Sequence, residues 1–496
     1  MNNSVKKVAI VGRDADAWIT ALVLQQAFAS PEQKIEIELI ELTPDLGKQD
    51  FFSVLPSHKV LHKILGANER LLLKEANGHY CFAQRFSNWS GGAAPFVHAY
   101  DRFGVDFNNI DFYQYWLKAK SSGMRVALED FNLGAVAAKQ GRYAIFDEST
   151  VTFSQASYGF HLSATDYIKS IAKAAIAVGV KHSVSNVVRV NTREERIDSV
   201  LLADGKEIRA DFFIDASGTE SLLIKTIEKN NIQSWSQWLP ANRIMVATAP
   251  SMEPLPAYSQ VSAFKEGWFG IYPLLNRTAI NIVYSSQYAT AENMYEKATI
   301  LSGLNFTDAT ETLFSAGTRT RHWIGNCLAI GSSAVSLEPL DAIQLHPLHI
   351  GLSLLKNLFP NDIDKMPEAD IYNQKMRGFV ENMRDFQIAH YYLNKRYGDP
   401  YWDKVRAVKP PSSLEDKMEL FASRGVIALS EDETFAQENW TALFAGHGLE
   451  TRHYTPLVNQ FSDEELIGKF QQILKHIKDE VARMPSLQAH VEMTLM

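Results

Sequence analysis

The sequence predicts an α/β fold with a Rossmann-like entrance, on three observations. VAIV at 8–11 is a short apolar run that ends on Gly12 and leads into a helical pattern. KIEIELIEL at 34–42 alternates and is rich in isoleucine, so it reads as a second strand ending at Glu41. DFFIDASG at 211–218 is a further buried strand running into a glycine turn. Strand, helix and strand at the start of the chain make a βαβ unit.

The first helix runs from Ala15 to about Ala29, with Trp18, Leu22 and Val23 on one face. Residues 60–75 read as helical, and 87–112, rich in glycine, aromatics and asparagine, as a long structured loop. Residues 163–178 form a helix with Ser163 as N-cap, apolar Ile168, Ile171, Ala175 and Val178, and Gly179 as its stop. SVSNVVRVNT and RIDSVLLADG read as two strands with a turn at Asp204-Gly205. Residues 240–290 hold the strands of a second layer, among them GWFGIYPLL and AINIVYSS. CLAIGSSAVSLEPL (327–340) is a strand and a loop, 345–358 a helix stopped at Pro360, and 370–396 a long aromatic-rich helix. Beyond about 410 the pattern is helical and more polar. The predicted organisation is one module over 1–410 and a helical region over 411–496. Within the module, segments of the first layer (about 1–90, 150–225 and 320–360) interleave with those of the second.

At 496 residues the chain is long enough for two or three domains. A net charge of -8 argues against nucleic acid as an electrostatic partner. The two cysteines, Cys81 and Cys327, are far apart and form no CxxC, so neither a zinc site nor a disulfide framework is suggested. That cysteine usage fits a reducing cytoplasm. The first strand begins close to Met1 and leaves no room for a signal peptide. No apolar run reaches the ~18 residues of a membrane span. The expectation is a soluble, cytoplasmic protein with no membrane partner.

A GxGxxG turn works because glycines allow the bend and the approach of a pyrophosphate, while the helix N-terminus faces the negative charge. Here the six positions are Gly12, Arg13, Asp14, Ala15, Asp16 and Ala17. Gly12 is kept and Ala17 is an acceptable last residue. Asp14 brings a carboxylate to the middle glycine position. Like charges ~4 Å apart cost about 1 kcal/mol in water and about 4 kcal/mol at an effective dielectric of 20. The carboxylate could instead cap the helix, or Arg13 could swing in to compensate. Glu41 is placed for a ribose hydroxyl, or is a plain strand-end acid.

The order and spacing of several segments carry a family resemblance. They are RFSNW (85–89), FNNIDFYQYWLKA (107–119), YGFHLSATDYI (158–168), DFFIDASG (211–218), LAIG…LEPL (328–340) and RDFQIAHYY (384–392). On these the chain resembles the flavin-dependent tryptophan halogenases, from the first strand to about residue 410. The resemblance implies an FAD/NAD(P)-binding Rossmann-like domain of the ββα type, a mixed-sheet substrate domain and a helical C-terminal region. It also implies FAD, a separate flavin reductase, an indole-like aromatic substrate and a possible homodimer. In that family halide is oxidised at the flavin to hypohalous acid, which passes through a tunnel to a lysine beside the substrate, where a glutamate assists. The FAD-binding positions implied are Gly12, Arg13, Ala17, Glu41, Asp215, Gly218, Gly331 and Ser332, and Trp268 and Pro273 mark the tunnel.

This sequence departs from the family pattern at particular residues. The lysine precedes RF by four residues, and in YCFAQRF that residue is Cys81. A thiol supplies no ammonium and is itself oxidised by hypohalous acid; as a small buried hydrophobe it needs no role. The WxWxIP segment reads WFGIYP (268–273): Trp268 and Pro273 match, while Gly270 and Tyr272 suggest lost bulk. GDAA becomes Gly331-Ser332-Ser333-Ala334, with Ser332 a weaker acceptor than aspartate. EPLESTG becomes EPLDAIQ: Glu338, Pro339 and Leu340 stay, Asp341 replaces the glutamate, and Ile343 and Gln344 replace the Thr-Gly pair. The GxGEAT segment has no counterpart; the chain reads DFFSV at 50–54.

Asp341 and Glu338 are the candidate catalytic acids, with Glu338 read as satisfying loop backbone and Asp341 as facing a cavity. His346 and His349, three apart on a helix, could form a metal pair but lack further ligands nearby, so no metal is expected. His390 in AHYY reads as structural. There is no GxSxG and no HExxH.

Two functions lead, and a third, different chemistry in the same cleft with Asp341 as acid or base, has no sequence feature that singles out a substrate. One is a divergent, non-catalytic relative that binds an aromatic small molecule or peptide, its FAD cleft partly filled by Gln344, Phe51 and Phe52. The other is an FAD-dependent halogenase or monooxygenase served by a reductase. Cys81 makes oxygenation easier to defend than halogenation.

Overall fold

The structure is a computed structural model of the chain and describes residues 4–28, 35–46, 50–90, 94–143, 157–229 and 231–495. The chain forms two compact units, each assembled from three segments. The first comprises Met1–Asn77, Leu162–Ser236 and Thr312–Glu381; the second comprises Gly78–His161, Gln237–Glu311 and Asn382–Met496.

The first unit is built on a six-stranded sheet. Its order is Trp323–Ile324, Cys327–Ala329, Phe212–Ala216, β1 (Lys7–Gly12), β2 (Glu36–Glu41) and Lys181–Val184. All neighbours are parallel except the edge pair at 323–324. β1 lies in the middle and Val8–Val11 are fully buried, which is why VAIV is a continuous apolar run. Ala9, Val11, Ile40, Phe213 and Ala329 share one hydrophobic cluster. Helix α1 (Asp14–Phe28) follows β1 and buries Trp18, Leu22 and Val23. Its expected end at Ala29 lies outside the described residues.

Two readings of local structure in this unit need correction. Residues 60–75 are two short helices, His58–Ile64 and Glu69–Glu75, separated around Gly66, whose φ of +63° a continuous helix cannot hold. SVSNVVRVNT is split between two sheets: Lys181–Val184 joins the parallel sheet, and Val187–Arg193 pairs antiparallel with Arg196–Leu202. The turn between those long strands lies at Glu194, with φ +52°, while Asp204-Gly205 leads into Glu207–Ile208. Apolar alternation does not reveal a change of partner sheet. The helix Ala164–Ala177 matches its sequence pattern, but the Ser163 hydroxyl donates to Asp166 Oδ2 at 2.8 Å and caps no backbone group.

The second unit is built on a seven-stranded sheet: Thr307–Leu313, Arg243–Ala249, Thr278–Tyr284, Gly267–Pro273, Tyr258–Phe264, Ala83–Ser87 and Phe96–Ala99. Phe96–Ala99 lies in the stretch expected to be a loop. It is held antiparallel on Ala83–Ser87, with Phe86 opposite Phe96 and their rings stacked at 5.1 Å. In the long helix Asp463–Arg483, Leu466, Phe470, Ile473, Ile477 and Val481 form the buried stripe. Its start is set by a capping box between Ser462 and Glu465. Phe470 packs on Phe112 and Phe131 at 5.2 and 5.0 Å. Among the described residues no helix is long and apolar enough to cross a membrane.

Candidate functional site

The β1–α1 turn shows what each residue of the degenerate GxGxxG does. Gly12 is required by strand packing, since a Cβ there would lie 2.5 Å from Ala216 O and 2.6 Å from Ala216 Cβ. Arg13 does not swing over the turn. Its Nη2 donates to Glu220 Oε2 at 2.8 Å. Asp14 stands at φ +55°, the conformation a glycine would take here. Its carboxylate does not cap α1; Oδ2 accepts the N–H of Asp45 at 3.0 Å. Burial raises its pKa above the ordinary carboxyl value. Ala17 is fully buried in the first turns of α1.

Asp16, which the motif reading passed over, is engaged more closely than Asp14. Its Oδ2 accepts the N–H of Ser332 at 2.8 Å. Gly331, at φ +57°, lies against it: a Cβ there would meet the Asp16 carboxylate at 2.2–2.4 Å. Burial pushes the Asp16 pKa up to about 6, against the lowering effect of the Ser332 bonds.

The two candidate ribose- and flavin-binding acids are both engaged by protein groups, Asp215 more fully than Glu41. Glu41 accepts from Trp18 Nε1 at 3.1 Å through Oε1, and its Oε2 lies 3.1 Å from His182 Nε2. Asp215 accepts from Ser217 N at 3.1 Å and from Ser217 Oγ at 2.5 Å. Its other oxygen accepts from Leu223 N at 2.8 Å and Ile224 N at 2.9 Å. Gly218 turns the chain at φ +79°, and its carbonyl accepts from Ser333 Oγ at 3.0 Å.

The EPLDAIQ loop is stitched to the strand Phe51–Val54. Gln344 Oε1 accepts from Ser53 N at 2.6 Å and Gln344 Nε2 donates to Phe51 O at 3.2 Å. Leu55 N donates to Ala342 O at 3.1 Å, and Val54 and Ile343 form an antiparallel bridge. Phe51 and Phe52 are buried. Asp341 and Ala342 both take positive φ, +61° and +59°. The two candidate catalytic acids are buried, Glu338 at 1% and Asp341 at 0% exposure.

In the second unit, Cys81 is buried on the strand His79–Cys81 and donates from Sγ to Ala83 O at 3.2 Å. Burial pushes its thiol up to about 12, so it carries almost no thiolate at neutral pH. Trp268 is buried and its Nε1 donates to Tyr391 Oη at 3.0 Å. The Pro273 carbonyl faces His79 Nε2 at 2.6 Å and His161 Nδ1 at 3.1 Å. In WFGIYP the Tyr272 ring lies against Gly270, 2.4 Å from where a Cβ would stand. His390 packs on Phe86 at 4.5 Å and its Nδ1 lies 2.9 Å from His447 Nε2.

His346 and His349 are joined in the first unit by His58 and His62, which sequence reading missed because they lie on a separate short helix. His58 Nε2 and His62 Nε2 each lie 3.2 Å from Tyr167 Oη. The His58 and His349 rings are 6.3 Å apart. Burial lowers all four imidazole pKa values. Among the described residues no group of three or more side chains is arranged to hold a metal ion.

The family model described as tryptophan halogenase matches residues 7–463. The chain belongs to the tryptophan halogenase family. It is 24% identical to tryptophan 7-halogenase KtzQ of Kutzneria sp., over 99% of this chain and 98% of that protein. It is 25% identical to tryptophan 7-halogenase RebH of Lentzea aerocolonigenes, over 87% of this chain and 85% of the other. Among solved structures, a flavin-dependent halogenase from Brevundimonas superposes with a TM-score of 0.92 at 27% identity, over 99% of both chains. One from Xanthomonas campestris gives 0.93 at 26%, over 99% of this chain and 98% of that one. Tryptophan halogenase family membership thus accounts for the Rossmann-like sheet and for the segments from which the resemblance was read.

Proposed function

We propose that this chain is a divergent tryptophan halogenase family member that does not carry out lysine-assisted halogenation and keeps the fold to bind an aromatic small molecule or peptide. The observation that carries this reading is Cys81. In the lysine position stands a buried thiol, donating to a backbone carbonyl and held up to about 12. It can neither hold hypohalous acid as an ammonium does nor act as a thiolate.

The cofactor position supports the same reading. FAD is the cofactor the family implies, and its pyrophosphate would face the start of α1. There this chain presents two carboxylates, Asp14 and Asp16, and Asp16 already takes the Ser332 N–H. Two negative groups oppose a third at a helix N-terminus. The Gln344 link between the EPLDAIQ loop and Phe51–Val54 leaves a side chain where the family has glycine. These contacts are what count against FAD in this reading, while the family itself uses flavin.

A second reading is an active FAD-dependent halogenase or monooxygenase working with a separate flavin reductase on an indole-like substrate. It is favoured by the near-complete coverage of relatives named as halogenases and by the intact Glu338-Pro339-Leu340 segment with buried Asp341. Titration with oxidised and reduced FAD, followed by flavin absorbance and fluorescence, separates the two. No binding at hundreds of micromolar supports the non-catalytic reading. Binding at low micromolar, with turnover of an aromatic substrate, overturns it.

A further inference from the structure

The first unit holds a cavity of ≈ 260 Å³ lined by Gln233, Thr318, Arg319, Thr320, Arg377 and Glu381. That volume lies just below the ~300–1,000 Å³ of drug-sized sites, which limits the ligand to a small molecule. Its rim is formed by Gln233, Thr320 and Arg377, which are exposed, whereas Arg319 is 5% exposed. Arg319 ends the strand Gly317–Arg319, and its Nε donates to Ser333 O at 2.9 Å. Its Nη1 is buried without a hydrogen-bond partner among the described residues. A buried guanidinium left partly unsatisfied is costly, and such a group in a native cavity points to a ligand.

The neighbouring charges specify what kind. Arg377 and Glu381 are one turn apart on the helix Glu368–Tyr392, and both line the cavity. Among the described residues Arg377 makes one long hydrogen bond, from Nη2 to Thr320 O at 3.5 Å. Among the described residues no ion pair joins Glu381 to either arginine. His322 stands behind Thr318, with Nε2 3.0 Å from Thr318 Oγ1, and burial together with the Arg319 charge holds it down to about 4. It therefore adds no charge at neutral pH. Among the described residues the cavity is lined by two guanidiniums with donors left over, Arg319 also feeling the more distant charges of Asp215 and Glu228, and by one carboxylate in no ion pair. A phosphate or dicarboxylate would satisfy the arginines but face Glu381, and a simple amine would face the arginines. A zwitterion gives each group a partner.

We propose that this cavity binds a small α-amino-acid zwitterion, its carboxylate on Arg319 and Arg377 and its ammonium on Glu381. The site lies outside the positions assigned to FAD and does not depend on the function proposed above. The test is calorimetric titration of the full-length chain with glycine and L-glutamine. Acetate, inorganic phosphate and methylammonium serve as single-charge probes at matched ionic strength. At least one amino acid is expected to bind about tenfold or more tightly than any single-charge probe. Glu381→Gln is expected to weaken amino-acid binding about tenfold while acetate binds as tightly as before or more tightly, and Arg377→Gln to weaken both. Both changes are made towards the rim, and circular dichroism checks the fold. Phosphate binding as tightly as the amino acids overturns the proposal in favour of a plain anion site. It is also overturned if no amino acid binds at ~50 mM, or if Glu381→Gln leaves amino-acid binding unchanged.

Discussion

The carboxylate of Asp16 accepts the backbone N–H of Ser332 at 2.8 Å and so ties the first turn of α1 to the turn at Gly331. The same contact explains Gly331, because any side chain there would land on that carboxylate. It also sets a pH dependence. The folded-state pKa of Asp16 is raised from 3.8 to about 6, chiefly by burial. Between those values the folded chain binds more protons than the unfolded one. The contribution to stability is therefore full below about pH 3.8 and is lost as pH rises through 6. Asp16→Asn keeps an acceptor for Ser332 and removes the titration. The variant is expected to match or exceed the parent at pH 7 and to lose that advantage by pH 4. Urea unfolding at the two pH values measures it.

Gln344 is expected to hold the EPLDAIQ loop on Phe51–Val54. Gln344→Ala removes an acceptor from Ser53 N and a donor from Phe51 O, leaving part-buried backbone groups without their partner. The expected loss is about 1–3 kcal/mol in chemical denaturation. Gln344→Glu is expected to be as harmful or worse, because it turns a carboxylate oxygen towards the Phe51 carbonyl. A variant as stable as the parent would show that the link carries no weight.

Much of this was legible in the sequence, and the limits have physical causes. The parallel sheet was readable because β1 is buried on both faces and so is uniformly apolar. The second-layer strands were readable because they are long and regular. Pairing partners were not readable: Phe96–Ala99 becomes a strand only because Ala83–Ser87 lies beside it, and 181–193 is shared between sheets. At the candidate site the odd residues could be seen at Asp14, Cys81 and Gln344, but not what each one touches. Asp16–Ser332 joins residues far apart in sequence, as does the His58–Tyr167 contact, and no local pattern marks either.

Cys81 is expected to be chemically silent in the native state. It is 1% exposed and its thiol is pushed up to about 12. Labelling with a thiol-disulfide reagent at pH 8 is expected to follow unfolding, with no fast phase from this residue. Cys81→Lys restores the family residue at a buried position with no carboxylate partner provided. It is expected to destabilise by several kcal/mol. Rapid labelling of Cys81 in the folded protein would overturn this account of the site.

The histidine group predicts sensitivity to acid. Burial lowers His62 and His346 from 6.5 to about 3 and His349 to about 4. Below the unfolded value the unfolded chain binds more protons. Stability is therefore full above about pH 6.5 and falls as pH drops towards 4, by up to about 1.4 kcal/mol per pH unit for each such histidine. His349→Asn is expected to make that fall shallower, read from denaturation midpoints between pH 4.5 and 7. An unchanged slope would mean that His349 is not among the groups that titrate on unfolding.

The Tyr272 ring over Gly270 predicts a coupling between the two positions. A Cβ at 270 would stand 2.4 Å from Tyr272 Cε2 and 2.5 Å from Asn281 Oδ1. Gly270→Ala alone must displace the ring and is expected to cost about 1–3 kcal/mol. Tyr272→Ile alone opens a gap above the glycine and is destabilising by cavity formation. Together the changes let the smaller side chains share the space the ring leaves, so the double variant should lose less stability than the sum of the single ones. The expected coupling is about 0.5–3 kcal/mol in a double-mutant cycle on the folded chain. Additive losses would mean that the ring does not substitute for the tryptophan missing at position 270. In that case the segment would have lost its bulk, as the sequence alone suggested.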